Sequence, residues 1–499
     1  MQIALLPLLF VAPLQEATVL TPDAELQRLA TDMQFVEGPV WLPEENALVF
    51  SDIPAARLLR WTADGGVQLL RELENPNGNL LDLDGQLLSC RHGARDIVRH
   101  LQDGELEQVV QSYRGSRFNS PNDLAIAPDG GLWFTDPPWG LANQREGREL
   151  PANHVFHREA ESGLVTIVLS DRAMPNGIAL SPDARRLYVA DTGGHPSHPD
   201  PARREGPASV SAYAILAPGL VDPEPLWSAP RRCDGMCVDE RGRIYITGEG
   251  GLAVLSPRDG SVIQEIPVPE TPANVCFGGK DLSTLFITAR TSLYSIEAAS
   301  PGWFASREQH VPLRPDQRDR RGDLYLRSGL PELALLDFDA YLEARPQADP
   351  FHWRRGIALY EAGRFAEGAA QFERHRSVNG SDVENVAWHY LCAARDQGTE
   401  AADERLLPVG RDLRPPMGAI QRLFAGQCDG DEVLQEALGT PPERRASALF
   451  YGHLYVGLHH EAHGRMARAR EHLELAAGEH GVEGYMGDVA RVHLALLDG

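Results

Sequence analysis

The sequence predicts a six-bladed, all-β propeller followed by an all-α helical domain. Three observations carry that reading. One hairpin template recurs six times in the first three hundred residues. An oxygen-bearing side chain recurs at one position of every copy, and strand-like patterning gives way to helical periodicity after Trp303. A chain of 499 residues also exceeds the ~250–300 at which a single hydrophobic core stops growing, so at least two domains are expected.

The six copies are VWLPEENALVFSD from Val40, LLDLDGQLLSC from Leu80, LAIAPDGGLWFTD from Leu124, IALSPDARRLYVAD from Ile178, MCVDERGRIYITG from Met236 and VCFGGKDLSTLFITA from Val275. Each has a short apolar stretch, a polar or glycine turn, and a β-rich run ending in small or acidic residues, which is the pattern of a hairpin. The segment before Gln34 is expected to pair with the last blade and close the ring.

Seven residues ahead of the turn residues Glu44, Asp84, Asp129, Asp183, Arg241 and Asp281 stand Glu37, Asn77, Asn122, Asn176, Asp234 and Asn274, at successive spacings of 40, 45, 54, 58 and 40 residues. A period of about 40–45 residues is one four-stranded blade. The innermost strand of a blade begins near the propeller axis, so six equivalent positions converge there. Asn and Asp also favour turns for backbone reasons. That explanation covers one or two positions, but not six in register, and not Glu37. A ring of hard oxygens with two formal negative charges suits one hard dication. Calcium fits mixed carboxylate and carboxamide donors best. Magnesium and manganese are alternatives, and zinc is the least well matched because the ring offers neither His nor sulfur.

The strings FVEGPVW around Glu37, RFNSPNDLAIAPDGGLWFTDPPWGL from Arg117, MPNGIALSPDARRLYVADT from Met174, RCDGMCVDERGRIYIT and TPANVCFGGKDLSTLFITARTSLYSI resemble the gluconolactonase/regucalcin family of propellers over residues 24–296. The resemblance implies a metal-dependent hydrolase of lactones or related esters. It implies metal ligands at Glu37, Asn122, Asn176 and Asp234, with Asp234 also the general base, and leaves Asn77 and Asn274 as ring positions without an assigned role. Residues expected to line the substrate pocket are Asn122, Arg91, His92, Arg117, Asp136, Trp139 and His195, which stand at strand ends or in inter-strand loops, where functional side chains gather. One departure bears on substrate: where some sugar-lactone enzymes of the family carry an arginine two residues before the substrate-facing asparagine, this chain has Ser120, and its nearest arginine is Arg117. Two other readings remain open, a phosphotriesterase-like hydrolase on the same ring and a non-catalytic scaffold whose metal is structural.

Composition sets the outer limits. With 47 basic and 71 acidic residues the formal charge is −24, a field that repels phosphate backbones and argues against nucleic acid as a partner. Lys280 is the only lysine, which leaves Schiff-base chemistry a single residue to work with. Six scattered cysteines do not make a disulfide scaffold, and Cys233 with Cys237 lacks the second ligand pair of a zinc site. Residues 1–17 read as an export signal, too short to span a bilayer, with an N-terminal strand as the alternative. The expected location is therefore periplasmic or secreted, and otherwise cytoplasmic.

Residues 18–303 are assigned to the propeller, the charged and proline-containing stretch 304–324 to a linker, and 325–499 to the helical domain. WRRGIALYEAGRFAEGAAQFERH from Trp353, with a turn at Gly363, resembles a tetratricopeptide helix pair, and YGHLYVGLHHEAHGRMARAREHLELAA from Tyr451 repeats the pattern with its turn at Gly464. Such arrays generally bind proteins, so a protein partner is expected here alongside the small-molecule lactone. His459, His460, Glu461 and His463 do not have the HExxH spacing of a zincin and are expected on the helix surface.

Overall fold

The computed structural model describes residues 18–194, 204, 206–497. The expected export signal at 1–17 and the pocket residue His195 lie outside them. The chain forms two compact units that divide between Val311 and Pro312, and no helix among the described residues is long and apolar enough to cross a membrane.

The first unit is a six-bladed propeller whose innermost strands are Val36–Leu42, Pro76–Leu81, Leu124–Ile126, Pro175–Leu180, Met236–Val238 and Pro272–Gly278. Each blade is an antiparallel meander running outward. Burial falls along it: in the first blade the second strand, Ala47–Asp52, is buried throughout, while the outermost, Gly66–Glu72, is largely exposed. The last blade takes its fourth strand from the start of the chain, where Gln27–Ala30 pairs antiparallel with Ser292–Glu297. This closes the ring without leaving a sheet edge at the seam. Trp41 of the first blade stacks on Phe286 of the last, ring centroids 5.2 Å apart, and seals that join.

The core is a set of layers between neighbouring blades. Ile178, Leu187 and Tyr213 meet Trp133 and Val155 in one layer, and Leu88, Ile97 and Phe118 meet Phe134 and Phe156 in the next. The hairpin turns inferred from sequence are built by side-chain acceptors. In APDGG, Asp129 accepts from Gly131 N at 2.9 Å, and Gly130 takes a left-handed φ of +88° that a side chain would resist.

The second unit is helical from Pro315–Arg327 to Tyr485–Leu497. The two segments read as helix pairs form them: Trp353–Glu361 with Phe365–Arg376 across Gly363, and Pro442–Ala462 with Met466–Ala477 across Gly464. Helix Pro315–Arg327 occupies much of the stretch assigned to a linker. Its charges are consumed in packing, since Arg321 forks onto Asp337 at 2.6 and 2.7 Å, and Asp319 receives Arg354 at 2.8 Å. Pro315 occupies the first turn, where its missing N–H has no partner to lose. Glu461, expected on the helix surface, is instead buried.

Candidate active site

The six ring residues stand at or just ahead of the starts of the innermost strands, where the ladder is deliberately broken. Register shifts fall between Glu37 and Val40, Pro76 and Asn79, Pro175 and Ile178, and Pro272 and Asn274. Bulges of this kind bend a strand and re-aim its side chains. The blades also pack unusually close at this level. A Cβ on Gly38 would lie 2.1 Å from the Asn77 carbonyl oxygen, and one on Gly177 would lie 2.3 Å from that of Asp234. Hydroxyls of the second strands tie the first blade to the second, the third to the fourth and the fifth to the sixth: Ser51 Oγ donates to Asn77 O at 2.6 Å, Thr135 Oγ1 to Asn176 O at 2.7 Å, and Thr247 Oγ1 to Ala273 O at 2.7 Å.

The tightness gives an expected outcome. Gly38 has φ +50° as well as the collision with Asn77, so Gly38→Ala should cost more than the ~1–2 kcal/mol of a left-handed alanine alone. Gly85→Ala, with φ +76° and open space around it, should cost only that amount. Urea midpoints of the two variants check the difference, and equal midpoints would refute the close-approach argument.

Glu37, Asn77, Asn122, Asn176 and Asn274 are buried, while Asp234 is partly open to solvent. Burial, then the charges of Asp234 and Asp123, hold the Glu37 carboxyl well above the usual carboxylate range, although Gly38 N donates to its Oε2 at 3.0 Å. Burial and the charge of Asp123 raise Asp234 to about 7, opposed by a hydrogen bond from Asn176. Asn176 Nδ2 also donates to Thr192 Oγ1 at 3.0 Å. The Asn77 amide nitrogen and His92 Nε2 lie 2.9 Å apart, and Asn77 Oδ1 is buried with no hydrogen-bond partner among the described residues.

Asp123 is the site residue that the sequence reading missed. It is buried, raised to about 7 by that burial, accepts from Leu124 N at 2.9 Å and lies 3.5 Å from Asn274 Nδ2. A signal for it exists. In four repeats the ring residue is followed by glycine (Gly38, Gly78, Gly177, Gly235), whereas Asn122 is followed by a carboxylate. The site therefore holds three interacting carboxyl groups rather than the two counted from sequence. Among the described residues no three His, Cys, Asp or Glu side chains form a metal cluster by themselves; the remaining oxygens of the ring are carboxamides.

The loop residues divide. His92 is buried against Asn77, and burial lowers it to about 4, so it stays a neutral partner of that amide. Asp136 is wholly buried and accepts from the backbone N–H groups of Asn119 and Ser120, both at 2.8 Å, which fixes the loop carrying Asn122. Arg91 forks onto Asp96, and Arg117 lies exposed with its guanidinium on Ala94 O. Trp139 lines a cavity of about 360 Å³ together with Met174, Thr192 and Arg232. A second cavity, about 340 Å³, is apolar along the innermost strands and includes Asp123 and Asn274 in its wall. Cys233 and Cys237 are free thiols.

Residues 35–291 match the model of the SMP-30/Gluconolactonase/LRE-like region. The chain is 32% identical to a gluconolactonase of Zymomonas mobilis over 315 residues, 57% of this chain and 84% of that protein. It is 31% identical to a pentonolactonase of Haloferax volcanii over 264 residues, 52% of this chain and 82% of the relative. The structure of a gluconolactonase from Xanthomonas campestris superposes with a TM-score of 0.50 at 33% identity, covering 56% of this chain and 90% of that one. Six blades, the axial ring and these likenesses agree, and the chain belongs to the SMP-30/gluconolactonase family.

Proposed function

We propose that the ring face opens a sugar lactone, an aldonolactone by class, using a hard divalent cation and Asp234 as general base. The observation that carries this is the convergence of Glu37, Asp123 and Asp234 with the carboxamides of Asn176 and Asn274, while Asn77 and Asn122 hold the equivalent positions of their own blades. Three carboxyl groups are desolvated together, Asp123 raising Asp234 and both raising Glu37, with no counter-charge beside them among the described residues, where Asn77 Oδ1 also finds no donor. A dication bound by oxygens supplies the missing counter-charge, so the donor set fits calcium. Glu37, Asn122, Asn176 and Asp234 would hold it, and once bound it supplies Lewis acidity toward the lactone carbonyl. The family relatives named above support the lactone as substrate.

The chain's own groups do the rest. Asp234, the least buried of the three carboxyl groups, takes a proton from water as the water oxygen bonds to the carbonyl carbon. The ring C–O bond then breaks, and the departing alkoxide recovers that proton as the hydroxyl of the open acid. Trp139 offers a flat apolar wall to the sugar ring, and Arg232 a cation at the edge of the same cavity. His92 and Asp136 act indirectly, by fixing Asn77 and the loop of Asn122.

Chelator-treated protein is expected to lose aldonolactone hydrolysis and to melt at lower temperature, because metal that binds only the folded state stabilises it by mass action. Added calcium should restore both. Base consumption across a panel of aldonolactones, aliphatic lactones and aryl esters measures the activity and ranks the substrates. Full activity in metal-stripped protein would overturn the mechanism.

A further inference from the structure

Four imidazoles meet within the helical unit. His453 and His460 lie seven residues apart on helix Pro442–Ala462, two turns along one face. His472 comes from the following helix, Met466–Ala477, and His480 from the turn after it, where its backbone N–H bonds Leu475 O at 2.9 Å. The Nδ1 atoms of His453 and His472 are 3.0 Å apart. The His480 ring stacks on His453 with centroids 4.9 Å apart, and His460 stacks on His472 at 5.6 Å. His460 Nδ1 is buried with no hydrogen-bond partner among the described residues.

A single N–H···N hydrogen bond accounts for the His453–His472 pair. It accounts neither for His480, held against that pair, nor for the orphaned nitrogen of His460. We propose that His453, His472 and His480 form a seat for a borderline divalent metal, zinc by preference, with His460 at its edge.

The distance suits it. Two nitrogens each 2.0–2.1 Å from a tetrahedral zinc stand about 3.3 Å apart, so the pair needs to open only slightly. No three such side chains already point at one spot among the described residues, and the third nitrogen comes from rotation of the His480 ring out of its stack. The shared Nδ1–H moves to Nε2 of the same ring, so both Nδ1 lone pairs face the ion with no net release of a proton. Burial and the neighbouring imidazoles lower His453 to about 4, and burial with Arg465 and His472 lowers His460 to about 4, which leaves both in the neutral form that binds metals. Asp431 and Glu471 face His472 with negative charge, Arg468 with positive. Nitrogen donors here and oxygen donors in the propeller ring sort ions by softness, so zinc and calcium do not compete for one site.

The test uses the full-length chain, stripped with chelator and supplied with millimolar calcium to fill the oxygen ring. Calorimetric titration with zinc chloride should show one ion bound per chain. His472→Gln and His480→Gln should each weaken it by about tenfold or more, and His463→Gln, on the adjacent turn, should not. The zinc absorption edge of the wild-type complex should show at least two imidazole nitrogens. Should His472→Gln fail to fold, His480→Gln, changed in a surface turn, and the edge spectrum still give the answer. No zinc uptake in the presence of calcium, unchanged affinity in His480→Gln, or an all-oxygen shell would each overturn the proposal.

Discussion

Asp234→Asn is expected to lower lactone hydrolysis by about 10²–10⁴-fold and to stay low at saturating calcium, whereas Glu37→Gln should recover much of its rate as calcium rises. Both substitutions remove one negative charge from the ring and keep its shape, so both should weaken metal affinity. They differ in what else is lost. Glu37 is buried, and its Oε2 is tied to Gly38 N, which suits a ligand that never leaves its place. Asp234 is partly exposed and its carboxyl partner is Asn176, so it is the carboxylate of the set that water can approach. A group of that kind can accept a proton from water, and added calcium cannot replace it. Initial rates against calcium concentration for the two variants separate the roles. If Asp234→Asn reaches the wild-type rate once metal saturates, Asp234 is a ligand only and another group takes the proton.

The propeller was legible because its blades are written as repeats. Each hairpin carries its own turn chemistry, and the ring position recurs at a fixed distance from the turn. What the repeat does not encode is which side chain a loop residue spends itself on. Arg117, His92 and Asp136 look alike in sequence, as polar groups beside strands, yet Asp136 is consumed by two backbone N–H groups, His92 by Asn77, and Arg117 by a carbonyl. Trp139 instead lines a cavity with Thr192, whose hydroxyl accepts from Asn176. Asp123 escaped notice for the opposite reason: it stands where the repeat favours glycine, and the departure carried the information. In the helical unit, the charged run before residue 325 resembles a solvated linker until Asp337 and Arg354 are folded against it.

Raising the pH from about 6.5 to 10 is expected to weaken the helical unit progressively, and His493→Gln is expected to destabilise it by about 3–5 kcal/mol while removing that pH dependence. Three helices converge on His493. Its Nδ1 lies 3.0 Å from Glu361 Oε2 on helix Trp353–Glu361, and its Nε2 lies 2.7 Å from Glu461 Oε2 on helix Pro442–Ala462. All three side chains are at most 4% exposed. Both ring nitrogens face carboxylates, so both carry protons, and the imidazolium with Arg395 beside Glu461 balances the two negative charges. Burial alone would depress the pKa of His493. The charges and hydrogen bonds of Glu361 and Glu461 outweigh it and raise the group to about 10. A folded-state pKa above the unfolded value of about 6.5 means the contribution is fully present below 6.5 and is lost as pH rises through 10. Gln keeps the size and one hydrogen bond but strands two buried carboxylates with a single cation. Urea midpoints of the helical transition, followed by circular dichroism at several pH values in both proteins, isolate this term from other groups that titrate in the same range. An equal pH slope in wild type and His493→Gln would show that the buried ion triad does not set it.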